Sequence, residues 1–219
     1  MKLPLIVVNF KVYEQGTGDN ALKLAKIHEK VAEETGVNIA IAVSPLDLAR
    51  VVLSVKIPVF VQHMDPYAYG GHTGFVIADE VKNLGAYGTL LNHAEHPLEN
   101  ETLQKSIARA KEVGLFTIVC ANTPERGREI MKYGPDLIAV EPPELIGGNV
   151  SVSKAEPEVI ERAVALIGEN RVLVGAGVKT AEDVKIALSL GASGVLLASG
   201  VVKAQDPYAA LIDLASALK

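Results

Sequence analysis

What most constrains this chain is a set of short, continuous apolar segments that recur along its whole length, each followed by a longer amphipathic stretch. The segments cover residues 5–8, 39–43, 59–61, 89–91, 116–120, 137–140, 172–174 and 194–197. They are rich in Val, Ile and Leu, do not alternate with polar residues, and are often flanked by Gly or Pro. Strands buried on both faces read this way. The intervening stretches have helical spacing. Residues 21–34 bring Leu22, Ala25, Ile27 and Val31 near one face, and residues 101–113 do the same with Leu103, Ile107 and Ala110. Residues 157–167 open with Pro157, as first helical turns often do. Residues 180–190 open with Thr180 as an N-cap and Asp183 three residues on, the pattern of a capping box. Residues 207–217 make the last helix. Strict alternation of strand and helix demands a parallel sheet. Eight such units of about 25–30 residues, with no linker or low-complexity break, predict an α/β chain folded as one (β/α)8 barrel domain over residues 1–219 rather than an open doubly wound sheet.

Composition agrees with that filling. Hydrophobic residues make up 49% of the 219, yet aromatics only 5% and Trp is absent, so the core must be aliphatic. A net charge of −5 gives no general attraction for a phosphate backbone, which argues against nucleic acid as a partner. The apolar run at the N-terminus is closed by Asn9 and Lys11, too short for a membrane span or a leader. Cys120 is the single cysteine, so no internal disulfide can form. The chain reads as soluble and cytoplasmic, with no membrane partner.

In a barrel, chemistry sits where strands end and loops begin. After the first segment come Asn9 and Lys11, which share one side of the strand because side chains alternate. An amide beside a lysine suits an anionic, oxygen-rich ligand. After the fourth come His93 and His96. Their i, i+3 spacing invites a metal, but no third ligand stands at a suitable spacing, so no metal and no cofactor are expected. His93 is then a candidate proton carrier, and His96 a solvated loop residue. After the sixth comes Glu141, a carboxylate directly following a buried strand, where loss of water favours a general base. Two prolines and then two glycines follow it, predicting a lid with defined hinges, on which Glu144 is surface. Two small-residue clusters, at 175–177 and 198–200, end the last two segments. They let backbone N–H groups approach an anion closely.

Taken together these residues resemble the triosephosphate isomerase family, in its short archaeal form, through the whole chain. The likeness is carried by Asn9-Phe10-Lys11, by His93 with Glu95, by Glu-Pro-Pro-Glu-Leu-Ile-Gly at 141–147, and by Gly-Val-Leu-Leu-Ala-Ser-Gly at 194–200. It implies the TIM-type barrel and interconversion of a small phosphorylated triose without cofactor. It implies Glu141 as the base, His93 as a neutral electrophile and Lys11 as the supporting cation, with Glu95 as a partner of that lysine. Asn9, Phe10, Lys11, Ile146, Gly147, Gly177, Ala198 and Ser199 fall on the family's substrate-binding positions. Ala94 departs from the family's Ser, whose hydroxyl helps to place the base; either the enzyme is impaired or a neighbouring group compensates. Gly70-Gly71-His72-Thr73-Gly74 resembles the loop that docks into a neighbouring subunit, which implies a homodimer or homotetramer with Thr73 at the interface. Other phosphosugar-isomerase barrels share the late glycine clusters, but not Asn9 and Lys11 with His93 and Glu141.

Overall fold

The structure, a computed structural model, describes residues 1–146 and 151–218. Its strands are β1 (Leu5–Asn9), β2 (Asn38–Val43), β3 (Val59–Val61), β4 (Gly88–Leu91), β5 (Phe116–Ala121), β6 (Leu137–Val140), β7 (Val172–Val174) and β8 (Gly194–Leu197). Each pairs in parallel with the next, and β1 pairs with both β2 and β8, so the sheet closes into an eight-stranded barrel. The expected (β/α)8 architecture is the observed one. Every predicted segment is a strand, and several extend by a residue.

Two apolar layers result from the alternation of side chains along each strand. Leu5, Val7, Ala40, Ala42, Phe60, Leu90, Ile118, Cys120, Leu137, Ala139, Leu173 and Leu196 form one cluster, which fills the barrel. Small Ala40, Ala42 and Ala139 make room for Phe60, the one large ring among them. The alternate residues, such as Ile6, Val8, Ile39, Ile41, Val119, Ile138 and Val140, belong to a second, larger cluster beneath the helices. The inward phase of β1 runs Leu5, Val7, Asn9, and that of β6 runs Leu137, Ala139, Glu141. Polar Asn9 and Glu141 are therefore the next inward positions once the apolar filling ends, at the C-terminal mouth.

The helices follow their signals. Pro157–Ile167 begins at its proline, and Ala181–Ser189 is capped by Thr180, whose hydroxyl accepts from the Asp183 N–H while Asp183 reaches back to the cap. Five short helices lie outside the predicted set: Leu48–Val52, Ala78–Asn83, Pro124–Met131, Val152–Ala155 and Ser199–Val202. Segments of 4–8 residues are too short for a 3.6-residue period to show. Among the described residues no helix is long and apolar enough to cross a membrane.

A polar ring lies buried in the outer layer. His28, on helix Gly18–Thr35, is fully buried and packs its ring against Phe10, with centroids 5.2 Å apart. Its Nδ1 lies 2.7 Å from the Leu24 carbonyl, to which it donates as the neutral ring. Burial pushes its pKa down to about 4. A lowered folded pKa means that the neutral ring fits the fold. Stability is then full above the ordinary value near 6.5 and declines as acid charges the unfolded chain first. Relative to His28→Leu, the parent should lose about 2 kcal/mol between pH 7.5 and pH 5. Denaturant midpoints of both proteins across that range check this; parallel curves would refute it.

Candidate active site

The site assembles where β1, β4, β6, β7 and β8 end. Lys11 adopts a left-handed backbone, φ 49°, which costs an ordinary residue about 1–3 kcal/mol. The chain holds it there from two sides. Asn9 Oδ1 accepts from the Lys11 N–H at 2.9 Å, and Gln62 Nε2 donates to the Lys11 carbonyl at 2.9 Å. So Asn9 fixes the turn that aims Lys11. The ammonium meets Glu95 Oε1 at 2.6 Å.

Asn92, also left-handed at φ 58°, turns the chain out of β4. Its amide donates to the Cys120 carbonyl and accepts from the Leu98 N–H, both at 2.9 Å. The turn that follows presents His93. Its Nδ1 accepts from the Glu95 N–H at 3.1 Å, which leaves the ring proton on Nε2. That Nε2 faces Glu141 Oε2 across 3.9 Å. Burial, and next the nearby Lys11 charge, lower the His93 pKa against the opposing pull of Glu95. At neutral pH the ring is an uncharged N–H donor.

Glu141 is only 7% exposed, and among the described residues its Oε2 has no hydrogen-bond partner. Desolvation raises its pKa to about 7, outweighing the Cys120 thiol and Lys11, which both favour the anion. Room for it comes from residue 175. A Cβ on Gly175 would lie 2.3 Å from Glu141 Cγ and 2.5 Å from Oε1, so any side chain there would displace the carboxylate.

A cavity of about 40 Å³ lies between these groups, lined by Asn9, Lys11, His93, Glu141, Ile146, Gly177, Ala198 and Ser199. All but two of the predicted site residues therefore meet on one cavity or pair directly with its lysine, as Glu95 does. Phe10 does not: its ring is fully buried in the outer layer against His28. Gly147 lies outside the described residues. Consecutive left-handed residues Ala176 (φ 72°) and Gly177 (φ 71°) curl the backbone around one end of the cavity. Opposite them the first turn of Ser199–Val202 offers the Ser199 and Gly200 N–H groups, which have no intrahelical acceptor. Together they make a concave wall of backbone amides that suits an anion. Tyr13, Val178 and Lys179 also line the cavity and were not among the sequence candidates. They lie past the strand ends where the candidates were sought. His96 lies on the exposed side and stacks on His63, centroids 4.2 Å apart. Glu144 is exposed. Among the described residues no group of three or more His, Cys, Asp or Glu could hold a metal ion.

Fold and site together define a β/α-barrel enzyme with an acid–base cluster above a backbone anion nest. The family model for triosephosphate isomerase matches residues 4–216. Proteins named triosephosphate isomerase are similar over nearly the full length of both chains. That of Methanosarcina barkeri is 49% identical across 98% of each chain, and that of Methanobacterium bryantii 48% across 97% of this chain and 96% of its own. That of Pyrobaculum islandicum is 46% identical across 100% of this chain and 97% of its own. The chain belongs to the triosephosphate isomerase family, and it is an isomerase.

The buried Glu141 carries a stability cost with a defined pH window. Its raised pKa means that the neutral acid fits the fold, so stability is full below about 4.5 and falls as pH rises through about 7. Glu141→Gln should therefore be more stable than the parent by up to about 3 kcal/mol at pH 8, with the gap closing by pH 4. Equal melting temperatures at pH 8 would count against a desolvated carboxylate.

Proposed function

We propose that Glu141, His93 and Lys11 carry the interconversion of dihydroxyacetone phosphate and glyceraldehyde 3-phosphate through an enediolate. The observation that supports this most directly is the pairing of a carboxylate and a neutral imidazole N–H, 3.9 Å apart, above one amide-lined cavity. Glu141 takes the proton from the carbon beside the carbonyl. Its pKa of about 7 suits both removing and returning that proton near neutral pH. His93 Nε2–H donates to the carbonyl oxygen as negative charge develops there, and Lys11 supports the enediolate and the phosphate. Gly177, Ala198 and Ser199, with Ile146, hold the phosphate, and Asn9 keeps Lys11 in place. The phosphate does not react; its binding fixes the reacting carbons between base and electrophile.

A coupled isomerase assay tests the activity itself. Glu141→Asp retracts the carboxylate by one methylene and should lower turnover on the order of 10²–10³-fold, since a misplacement of roughly 1 Å costs about 10². Near-normal turnover would remove Glu141 from the role.

The same reading makes the protein a cytoplasmic homodimer or homotetramer. The loop after β3 supports the assembly. It is closed by backbone pairing of Asp65 with Val76, 2.7 Å, and carries Thr73 at an exposed position. Beside Thr73, Tyr69 and Phe75 are 59% and 50% exposed, and Tyr67 stacks on His72 at 4.3 Å. An ordered aromatic patch left in water is an association surface. Light scattering should give at least twice the 23.2 kDa chain mass, and Phe75→Asp should shift the population toward monomer. A parent monomer at micromolar concentration would overturn the assembly.

A further inference from the structure

The end of the barrel away from the mouth carries a local motif twice. Lys82-Asn83-Leu84-Gly85-Ala86-Tyr87 leads from helix Ala78–Asn83 to β4, and Lys111-Glu112-Val113-Gly114-Leu115-Phe116 leads from helix Asn100–Glu112 into β5. Each helix has a lysine in its last turn. Each connection turns at a left-handed glycine, Gly85 at φ 93° and Gly114 at φ 74°. An apolar residue and an aromatic ring follow. A cation in the last turn suits the helix dipole, yet Lys82 reaches beyond its own helix. Its ammonium donates to the Gly114 carbonyl, on the next connection, at 2.8 Å. Lys111 makes the same reach: its ammonium lies 3.0 Å from where a Cβ on Gly134 would stand.

Both lysines, with Lys56 just before β3, wall a cavity of about 830 Å³. The one acid on that wall is Asp136, whose Oδ2 accepts from the Thr117 N–H at 2.8 Å and from its hydroxyl at 3.0 Å. Glu29 accepts from the Lys56 backbone N–H at 2.6 Å, but its side-chain ion pair is with Lys26. Among the described residues Lys56, Lys82 and Lys111 form no ion pair, in a chain whose net charge is −5. Three uncompensated cations around one concavity attract a multiply charged anion. A second cavity, of about 400 Å³, adjoins the first and shares Lys56, Pro58 and Tyr87 with it. Leu5, Val37 and Ile39 make it apolar, and its acids Glu29 and Glu33 repel phosphate. On the shared wall the Tyr87 ring is braced by Phe60 and Phe116, each at 5.7 Å, yet the residue is 37% exposed.

We propose that this end of the barrel is a nucleotide site, separate from the catalytic mouth. The polyphosphate lies on Lys56, Lys82 and Lys111, and the base lies against Tyr87 toward the apolar cavity. Ammonium groups bind phosphate as point charges and demand no single geometry. An aromatic ring stacks on the flat face of any base. The first cavity has the volume of a small-molecule pocket, and the acids of the second set which way round the ligand lies.

Calorimetric titration of the full chain with ATP, tripolyphosphate and adenosine tests this. ATP should bind about fivefold or more tighter than tripolyphosphate, the least that one stacked base contributes. Adenosine should bind far more weakly than ATP, and ATP affinity should fall as salt rises. Lys82→Glu combined with Lys111→Glu should weaken ATP about tenfold or more, since two attractions become repulsions. Isomerase kinetics of that variant should match the parent, and thermal melts establish that it is folded. Tyr87→Leu should lower the ATP affinity to that of tripolyphosphate. Saturating dihydroxyacetone phosphate should leave ATP binding unchanged. Absence of ATP binding at millimolar concentration, equal affinity in the parent and the double lysine variant, or displacement by dihydroxyacetone phosphate overturns the site. Equal affinity of the parent for ATP and tripolyphosphate overturns its assignment to a nucleotide.

Discussion

Closure of the sheet between β8 and β1 is the constraint on which the site depends, and it turns on residue 194. Gly194 lies at φ 147°, and a Cβ there would fall 2.0 Å from the Leu5 carbonyl oxygen, a contact no relaxation of a side chain relieves. The absence of a side chain lets the two strands meet in register, Leu5 opposite Gly194 and Val8 opposite Leu197. Once the barrel is closed its interior is finite, and a fixed number of aliphatic side chains fills it. The next inward residue of each strand then has no apolar neighbour above it and faces the mouth. Asn9 and Glu141 reach the cavity at the mouth because of their phase along two strands, and Lys11 because Asn9 bends the chain that carries it.

Much of this was legible in the sequence for the same reason. A strand buried on both faces leaves a continuous apolar run, and the first polar residue after it marks the mouth. That signal located Asn9, Lys11, His93 and Glu141. Phe10 was grouped with its neighbours on resemblance, not on that signal, and its ring does not reach the cavity. Residue 10 continues the outward phase of Ile6 and Val8, so its ring goes to the helix layer. Gly175 was read only as part of an anion-binding cluster; the room it makes for Glu141 lies across the sheet, in the register of β6 and β7, and one strand's pattern holds no record of its neighbour's. The short helices were hidden by their length.

The charges of the site depend on one another in a definite order. Lys11 is the centre: its ammonium helps to keep His93 uncharged and favours the anionic form of Glu141. Without it the imidazole would hold a proton more readily and less of the carboxylate would be ionised near neutral pH. Yet Lys11 is itself held by Glu95, whose side chain is 60% exposed. The balance between that pair and an incoming anion decides whether Lys11 is free to act. An exposed carboxylate partner contributes about 0–1 kcal/mol, since water replaces much of what is lost. A phosphorylated ligand held against backbone N–H groups, beside a Lys11 side chain that is only 9% exposed, would meet a lower effective dielectric and less competing water. On the proposed reading the anion wins that contest at small cost, and Glu95 steadies the lysine between ligands rather than opposing it. Glu141 lies on the other side of that balance: it is buried, and desolvation raises its pKa to about 7, so its proton can be exchanged near neutral pH.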